Sequence, residues 1–297
     1  MELVDFLLQF DCLAKMEITS SVVADIRELA ATGDVSVLSG ISPTGFSIGA
    51  VVELAGIRLV CAEGFAQVLD RWAELSPILR DAFTILESGV IPHAEKLWVS
   101  KGIEFYPIVG ADWSNPSRYH PFESRFCKAT KNAGFGGMAE ALVGALFEMA
   151  DNISQHSGEV GRTPAKGLIG YSVSLNTVSF AIADIGRGCL ASLRENPQWA
   201  DLPNSKSALM AIINQHASRR LHAGDGEGFK EVFRSLANLN GLIELRSNDG
   251  RVTVIGTPMG REATSQYCGE IPGFQIAVTC SLTGPVKESI FPVDYLT

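Results

Sequence analysis

The sequence predicts a mixed α/β chain in two parts, and three observations predict it. Apolar residues recur at helical spacing in several long segments. Between these segments lie short apolar runs bounded by Gly, Asn or Ser, the pattern of strands. A stretch from Ala111 to Ser124, rich in Pro, Ser and aromatics and without a period, separates a first module, residues 1–115, from a second, residues 125–297. Residues 116–124 are expected to be the linker or boundary.

In the first part, SSVVADIRELAA reads as a helix, with Ser20 or Ser21 as its N-cap and Gly33 just past its end. GAVVELAGIRLVCAEG reads as two short strands. FAQVLDRWAELSPILRDAFTILESG has helical spacing but contains Pro77, which divides or kinks it because proline lacks the N–H of a helix interior. HAEKLWVSKGIEFYPIVG predicts a short helix followed by a strand. No motif in this part carries a chemical mechanism, so an α/β module is the whole expectation there.

The second part says more. After Gly134, Gly136 and Gly137, the segment MAEALVGALFEMADNISQHSG places Leu142, Leu146, Met149 and Ile153 in one apolar stripe, and Gly158 can end the helix. GLIGYSVSL and VSFAIAD read as a hairpin around Asn176 and Thr177. GFKEVFRSLANLNG follows as a helix, then GLIELRS and RVTVIG as a hairpin joined by Asn248, Asp249 and Gly250, and FQIAVTCSL as the last strand.

Composition bounds the function. Of 297 residues 46% are hydrophobic and 19% charged, enough for a sizeable core. Lys plus Arg number 24 against 33 Asp plus Glu, a net charge of −9, which is poor material for neutralising phosphates, so no nucleic-acid partner is expected. Glu53 and Arg58 break the apolar run from Phe46 to Cys61 well short of the ~20 residues of a membrane span. Glu2 and Asp5 stand where a secretion signal would be basic, so a cytoplasmic protein away from the membrane is expected. The six cysteines form no CxxC pair and are expected as reduced, buried thiols.

Three motifs carry chemistry. Glu148, Asn152 and His156 stand four residues apart, in a row about 40° per step along the border of the apolar stripe. Asp184, Gly186 and Gly188 follow an apolar strand directly; a carboxylate there can accept from an exocyclic amine, and the glycines allow close backbone approach. Gly224, Gly226 and Gly228 open a helix, whose free N–H groups and positive dipole end suit a polyphosphate.

In this order the motifs resemble the GHKL superfamily of gyrase, heat-shock chaperone, histidine-kinase and mismatch-repair ATP-binding domains, which share the Bergerat fold, an α+β two-layer sandwich. FEMADNISQH looks like the N box, ADIGRGC like the first glycine box, and GDGEGFKEVFRSLANLNGLIELRS like the second; the resemblance covers about residues 125–285. It implies that Asn152 ligates Mg²⁺ between phosphate oxygens, that Glu148 orients or deprotonates the attacking water, and that Asp184 accepts from the adenine amino group. Gly186 and Gly188 would line the adenine. Gly224, Gly226 and Gly228 would hinge a lid of about residues 189–223, whose Arg219, Arg220 and His222, with His156, are candidate phosphate contacts.

Family members often carry a Gly-Thr pair whose hydroxyl steadies the adenine-binding carboxylate; Gly273 and Phe274 stand there, and a water or Thr279 is expected to substitute. Glu227 also brings an acid near the expected phosphates. The activity implied is a Mg-ATP-binding regulatory protein with slow hydrolysis coupled to lid closure and to movement against a protein partner, a homodimer mate or the first module. The alternatives are a serine/threonine kinase resembling anti-sigma kinases and a non-hydrolysing nucleotide-gated module. His93 and His120 lie beside prolines, poor context for the acceptor helix of a histidine kinase.

Overall fold

A computed structural model describes residues 14–33, 35–91, 99–109, 115–156, 166–215, 217–218, 239–257, 260–284 and 286–293. Strand β1 (Ala14–Ile18) leads into helix α1 (Ser20–Thr32). The cap is Thr19 rather than Ser20 or Ser21: its hydroxyl accepts from the Val22 N–H, while Gly33 at φ 74° ends the helix as expected. The short α2 (Ser36–Ser39) precedes β2 (Ile41–Ser47), which runs parallel to β1.

The segment expected to be two strands is one helix, α3 (Ile48–Val60), capped by the Ser47 hydroxyl on the Ala50 N–H at 3.2 Å. Every residue from Ile48 to Ile57 is buried, the paired Glu53 included, so the run is buried all round, a pattern in which buried strand and buried helix look alike. Pro77 divides the next segment into α4 (Glu63–Leu75) and α5 (Pro77–Ser88), sitting at the first turn of α5, where its missing N–H is not needed. β3 (Ile103–Ile108) follows.

Residues 116–124, expected as a linker, are instead the first half of α6 (Pro116–Thr130). Its anchors are Phe122 and Phe126, both fully buried, and Asn115 caps it by accepting from the Ser117 N–H at 3.2 Å. Arg125 and Tyr171 both bond the wholly buried Glu104 of β3, tying this helix to the sheet. A π-helical turn (Lys131–Phe135) and a 3-10 turn (Gly136–Met138) join α6 to α7 (Ala139–His156).

Then come β4 (Gly167–Ser174), β5 (Thr177–Asp184), α8 (Gly188–Leu193), a 3-10 turn (Pro197–Trp199), α9 (Ser205–Gln215), β6 (Asn240–Thr257), β7 (Gly260–Ser281) and β8 (Ile290–Pro292). The predicted β4–β5 hairpin forms, with Asn176 at φ 62° in its turn. The hairpin expected at Asn248 does not: β6 continues through Asn248–Gly250 and turns back only beyond Thr257, which pairs with Gly260. Register shifts at Ser247/Asn248 and Asn248/Gly250 place extra residues on β7, so the Asn-Asp-Gly signal marks a bulge in place of a turn.

The chain is an α+β sandwich built on a five-stranded antiparallel sheet ordered β3-β4-β5-β7-β6, beside a three-stranded sheet ordered β1-β2-β8. Strand alternation gives the larger sheet two apolar faces. Val178, Phe180 and Ile182 of β5 face a core shared with α6, α7, α8 and α9, while Ala181 and Ala183 face a core shared with α1, α3, α4 and α5. The strand β3 and the helix α3 of the first module are thus an edge strand and a covering layer of the same sheet.

The second face also holds charge. Glu53 receives Arg27 Nη1 at 3.1 Å and pairs with the fully buried Arg246, which also donates to Gln275 Oε1 at 2.9 Å and to the Ser20 carbonyl. Glu244 pairs with Arg251 at 2.6 Å, and Glu288 accepts from the Ser20 N–H and hydroxyl at 3.0 and 3.1 Å. Burying these groups is tolerable only because they meet opposite charge and hydrogen bonds.

Among the described residues one helical run, residues 117–151, is long and apolar enough by composition to cross a membrane, but more than half of its apolar window is buried inside the protein. Leu142, Leu146, Met149 and Ile153 form the α7 stripe and lie in the core, as the periodicity predicts.

Candidate functional site

The alternation that sends Val178, Phe180 and Ile182 toward α7 puts Asp184, the last residue of β5, on the same face. Asp184 is only 7% exposed, and its Oδ1 accepts from the Gly186 N–H at 2.6 Å. Burial pushes its carboxyl up to about 7, against the stabilising N–H groups of Gly186 and Phe274. The buried carboxylate at this strand end is held by the turn that follows it at once.

The turn is closed by glycine. Gly188 has φ 79° and begins α8; a Cβ there would lie 1.8 Å from Asn248 Oδ1 and 2.7 Å from Ser247 Oγ. Gly273, at φ 111°, lets β7 approach until a Cβ would lie 1.9 Å from the Asp184 carbonyl oxygen. Both positions require glycine through backbone conformation and space together.

Across the sheet, Asp184 pairs with Phe274 and Phe274 with Ser247, one row on one face. Ser247 Oγ accepts from the Cys189 N–H at 2.8 Å and lies 3.1 Å from the Gly273 carbonyl, joining α8 to both strands. Phe274 is half-buried beside Asp184, at the place where the resemblance led to the expectation of a hydroxyl.

Thr279 does not supply that hydroxyl. It pairs with Ser179, five residues along the strand from the Phe274–Asp184 pair, and faces the opposite core, where its Oγ1 lies 3.0 Å from Ser179 Oγ. An odd step along a strand turns a side chain to the other face, which excludes Thr279 from the Asp184 site.

On α7, Glu148 is exposed while Met149 and Ala150 beside it are buried, so it stands at the border of the stripe as its spacing predicts. Asn152 and His156 continue the same helix, four and eight residues on, and their side chains lie outside the described residues. Arg219, Arg220, His222, Gly224, Gly226, Glu227 and Gly228 also lie outside them, as does the helix expected from Gly228.

The expected lid of residues 189–223 begins as ordered core instead. Cys189 and Leu193 of α8, and Leu209, Ile212 and Ile213 of α9, are buried in the main cluster, and Trp199 packs against it. Burial drives the Cys189 thiol up to about 12. Among the described residues no group of three or more His, Cys, Asp or Glu is arranged to hold a metal.

Sequence reasoning missed Ser247 and Asn248 because Asn-Asp-Gly reads as a turn, and missed Arg27 because one arginine on an amphipathic helix reads as surface. The signal for Arg27 was its place on the buried side of α1, in line with Val23, Ile26 and Ala30. No protein-family model matches this chain, and no curated protein matches it either.

Proposed function

We propose that this chain is a cytoplasmic Mg-ATP-binding regulatory protein of the GHKL type that hydrolyses ATP slowly. The observation that carries the reading is Asp184, more than nine-tenths buried at the end of the central strand β5, next to the Gly186–Gly188 turn and on the face covered by the helix bearing Glu148 and Asn152. A carboxylate so placed discriminates for an amine-bearing ring, because removing the partner leaves a buried acceptor unpaired.

In this reading Asp184 accepts from the adenine amino group, the glycine turn lies along the ring, and the Asn152 amide oxygen is a hard ligand for Mg²⁺. Bound Mg-ATP supplies the phosphoryl group and the neutralised charge that transfer requires. Exposed Glu148 takes the position that orients the attacking water. Nucleotide state would then alter contacts with a protein partner or a second copy. Phe274 beside Asp184, in place of a hydroxyl, favours weak binding and so a nucleotide-gated module as the second reading.

The test is the fate of γ-labelled ATP with Mg²⁺. The expected result is label released as phosphate by the natural protein, binding without release in Glu148→Ala, and no binding in Asp184→Asn. Label carried onto protein would replace hydrolysis by kinase chemistry, binding without turnover in every form would leave the gated module, and no binding by the natural protein would overturn the reading.

A further inference from the structure

Arg27 of α1 belongs to the first module, yet one nitrogen of its guanidinium, Nη2, donates to the second. Nη2 donates to the carbonyls of Asn248 at 2.7 Å and Ile271 at 3.0 Å, and Nη1 to Glu53 at 3.1 Å. Asn248 and Ile271 are paired residues at the register shift of β6 and β7, and Asn248 sits at φ 50°, in the left-handed region that asparagine tolerates better than most side chains. Close by, β7 lies so near α1 that a Cβ on Gly269 would stand 2.2 Å from the Arg27 carbonyl oxygen.

The far side of the same bulge holds the candidate site. Asn248 Oδ1 lies 3.2 Å from Ser247 Oγ and occupies the space a Gly188 side chain would need. Ser247 Oγ in turn takes the Cys189 N–H at 2.8 Å. Arg27, Asn248, Ser247 Oγ and the start of α8 form a continuous, partly buried chain of bonds that ends at the turn beside Asp184.

We infer that Arg27 is a positioning residue for the Asp184 site, setting the Gly186–Gly188 turn through the bulge at Asn248 and making α1 part of the site's foundation. Pairing with Glu53, a carboxylate shared with Arg246, accounts for Arg27 Nη1 alone, whereas Arg27 Nη2 addresses two carbonyls of the bulge. Only a planar fork reaches a carboxylate and two carbonyls at once; a lysine ammonium keeps the charge but not the geometry. That the turn receives ATP rests on the function proposed above; that Arg27 sets the turn does not.

The experiment compares Arg27→Lys, Ser247→Ala and the double variant of the full chain by calorimetric titration with Mg-ATP and by amide hydrogen exchange over residues 185–190 and, as reference, 167–174. Each single variant should weaken ATP binding by about fivefold, the worth of one hydrogen bond, and speed exchange over 185–190 while leaving 167–174 unchanged. The double variant should bind within about twofold of the weaker single, as members of one chain do. Natural exchange over 185–190 in Arg27→Lys, or independent effects of the two changes, would overturn the inference. If Arg27→Lys fails to fold, Ser247→Ala decides by the same readouts: unchanged exchange over 185–190 refutes the path. A natural protein that binds no ATP overturns the proposed function, and exchange still decides the positioning.

Discussion

Asp184→Asn separates the electrostatic burden of the site from its packing. Burial holds the carboxyl at about 7 against an ordinary value of 3.8, so between those values the folded protein keeps a proton that the unfolded chain has released. Stability from this group is therefore fully present below about pH 4 and is lost as pH rises through about 7. That difference is on the order of 4 kcal/mol, and roughly two-thirds of it falls between about pH 5 and about pH 8. Asparagine keeps the size and the acceptor for the Gly186 N–H but does not titrate. Urea unfolding of both proteins across that range should show the variant gaining on the natural protein by about 3 kcal/mol from the acid to the alkaline end. Parallel stability curves would refute the argument, because they would mean that Asp184 ionises in the fold as freely as in the open chain.

Three further outcomes follow from the geometry. Glu53→Gln removes the carboxylate shared by Arg27 and Arg246 and should cost about 3–5 kcal/mol in urea unfolding, since buried Arg27 loses the carboxylate it pairs with and Arg246 is left with Glu244. Gly188→Ala forces a side chain into φ 79° and onto Asn248 Oδ1; a loss of at least about 2 kcal/mol is expected, with Gly137→Ala, which has open space, as the harmless control. Thr279→Val should lower stability by about 1 kcal/mol through the lost Ser179 partner and leave Mg-ATP affinity unchanged, as titration of the variant would show.

What the sequence made legible was periodic or punctuated. The α7 stripe, the Pro77 division and the Asn176 turn each rest on a local rule that packing does not reverse. α3 was not legible, because a segment buried on every side carries no amphipathic period to distinguish helix from strand. Asn248–Gly250 misled for a related reason: positive φ is what both a tight turn and a bulge ask for, and only the continuing pairing of β6 decides between them. For the candidate site, Asp184 and its glycines could be found because chemistry needed them consecutively. Ser247 and Arg27 could not, because they reach the turn through pairings that span 58 and 221 residues.

The small sheet sets an order of events for the ribosome. β1 and β2 emerge early, but the strand that covers the free edge of β2 is β8, residues 290–292, and Phe46 and Phe291 meet across that edge. Glu53 likewise waits for Arg246, and Ser20 for Glu288. For most of synthesis the first module therefore carries an open edge and a Glu53 that has Arg27 but not yet Arg246, and its fold closes only when β8 arrives. Contacts of such sequence separation slow folding and expose sticky surfaces meanwhile. Nascent chains halted before residue 290 should be markedly more sensitive to protease in residues 14–60 than the released protein, and more prone to hold a chaperone.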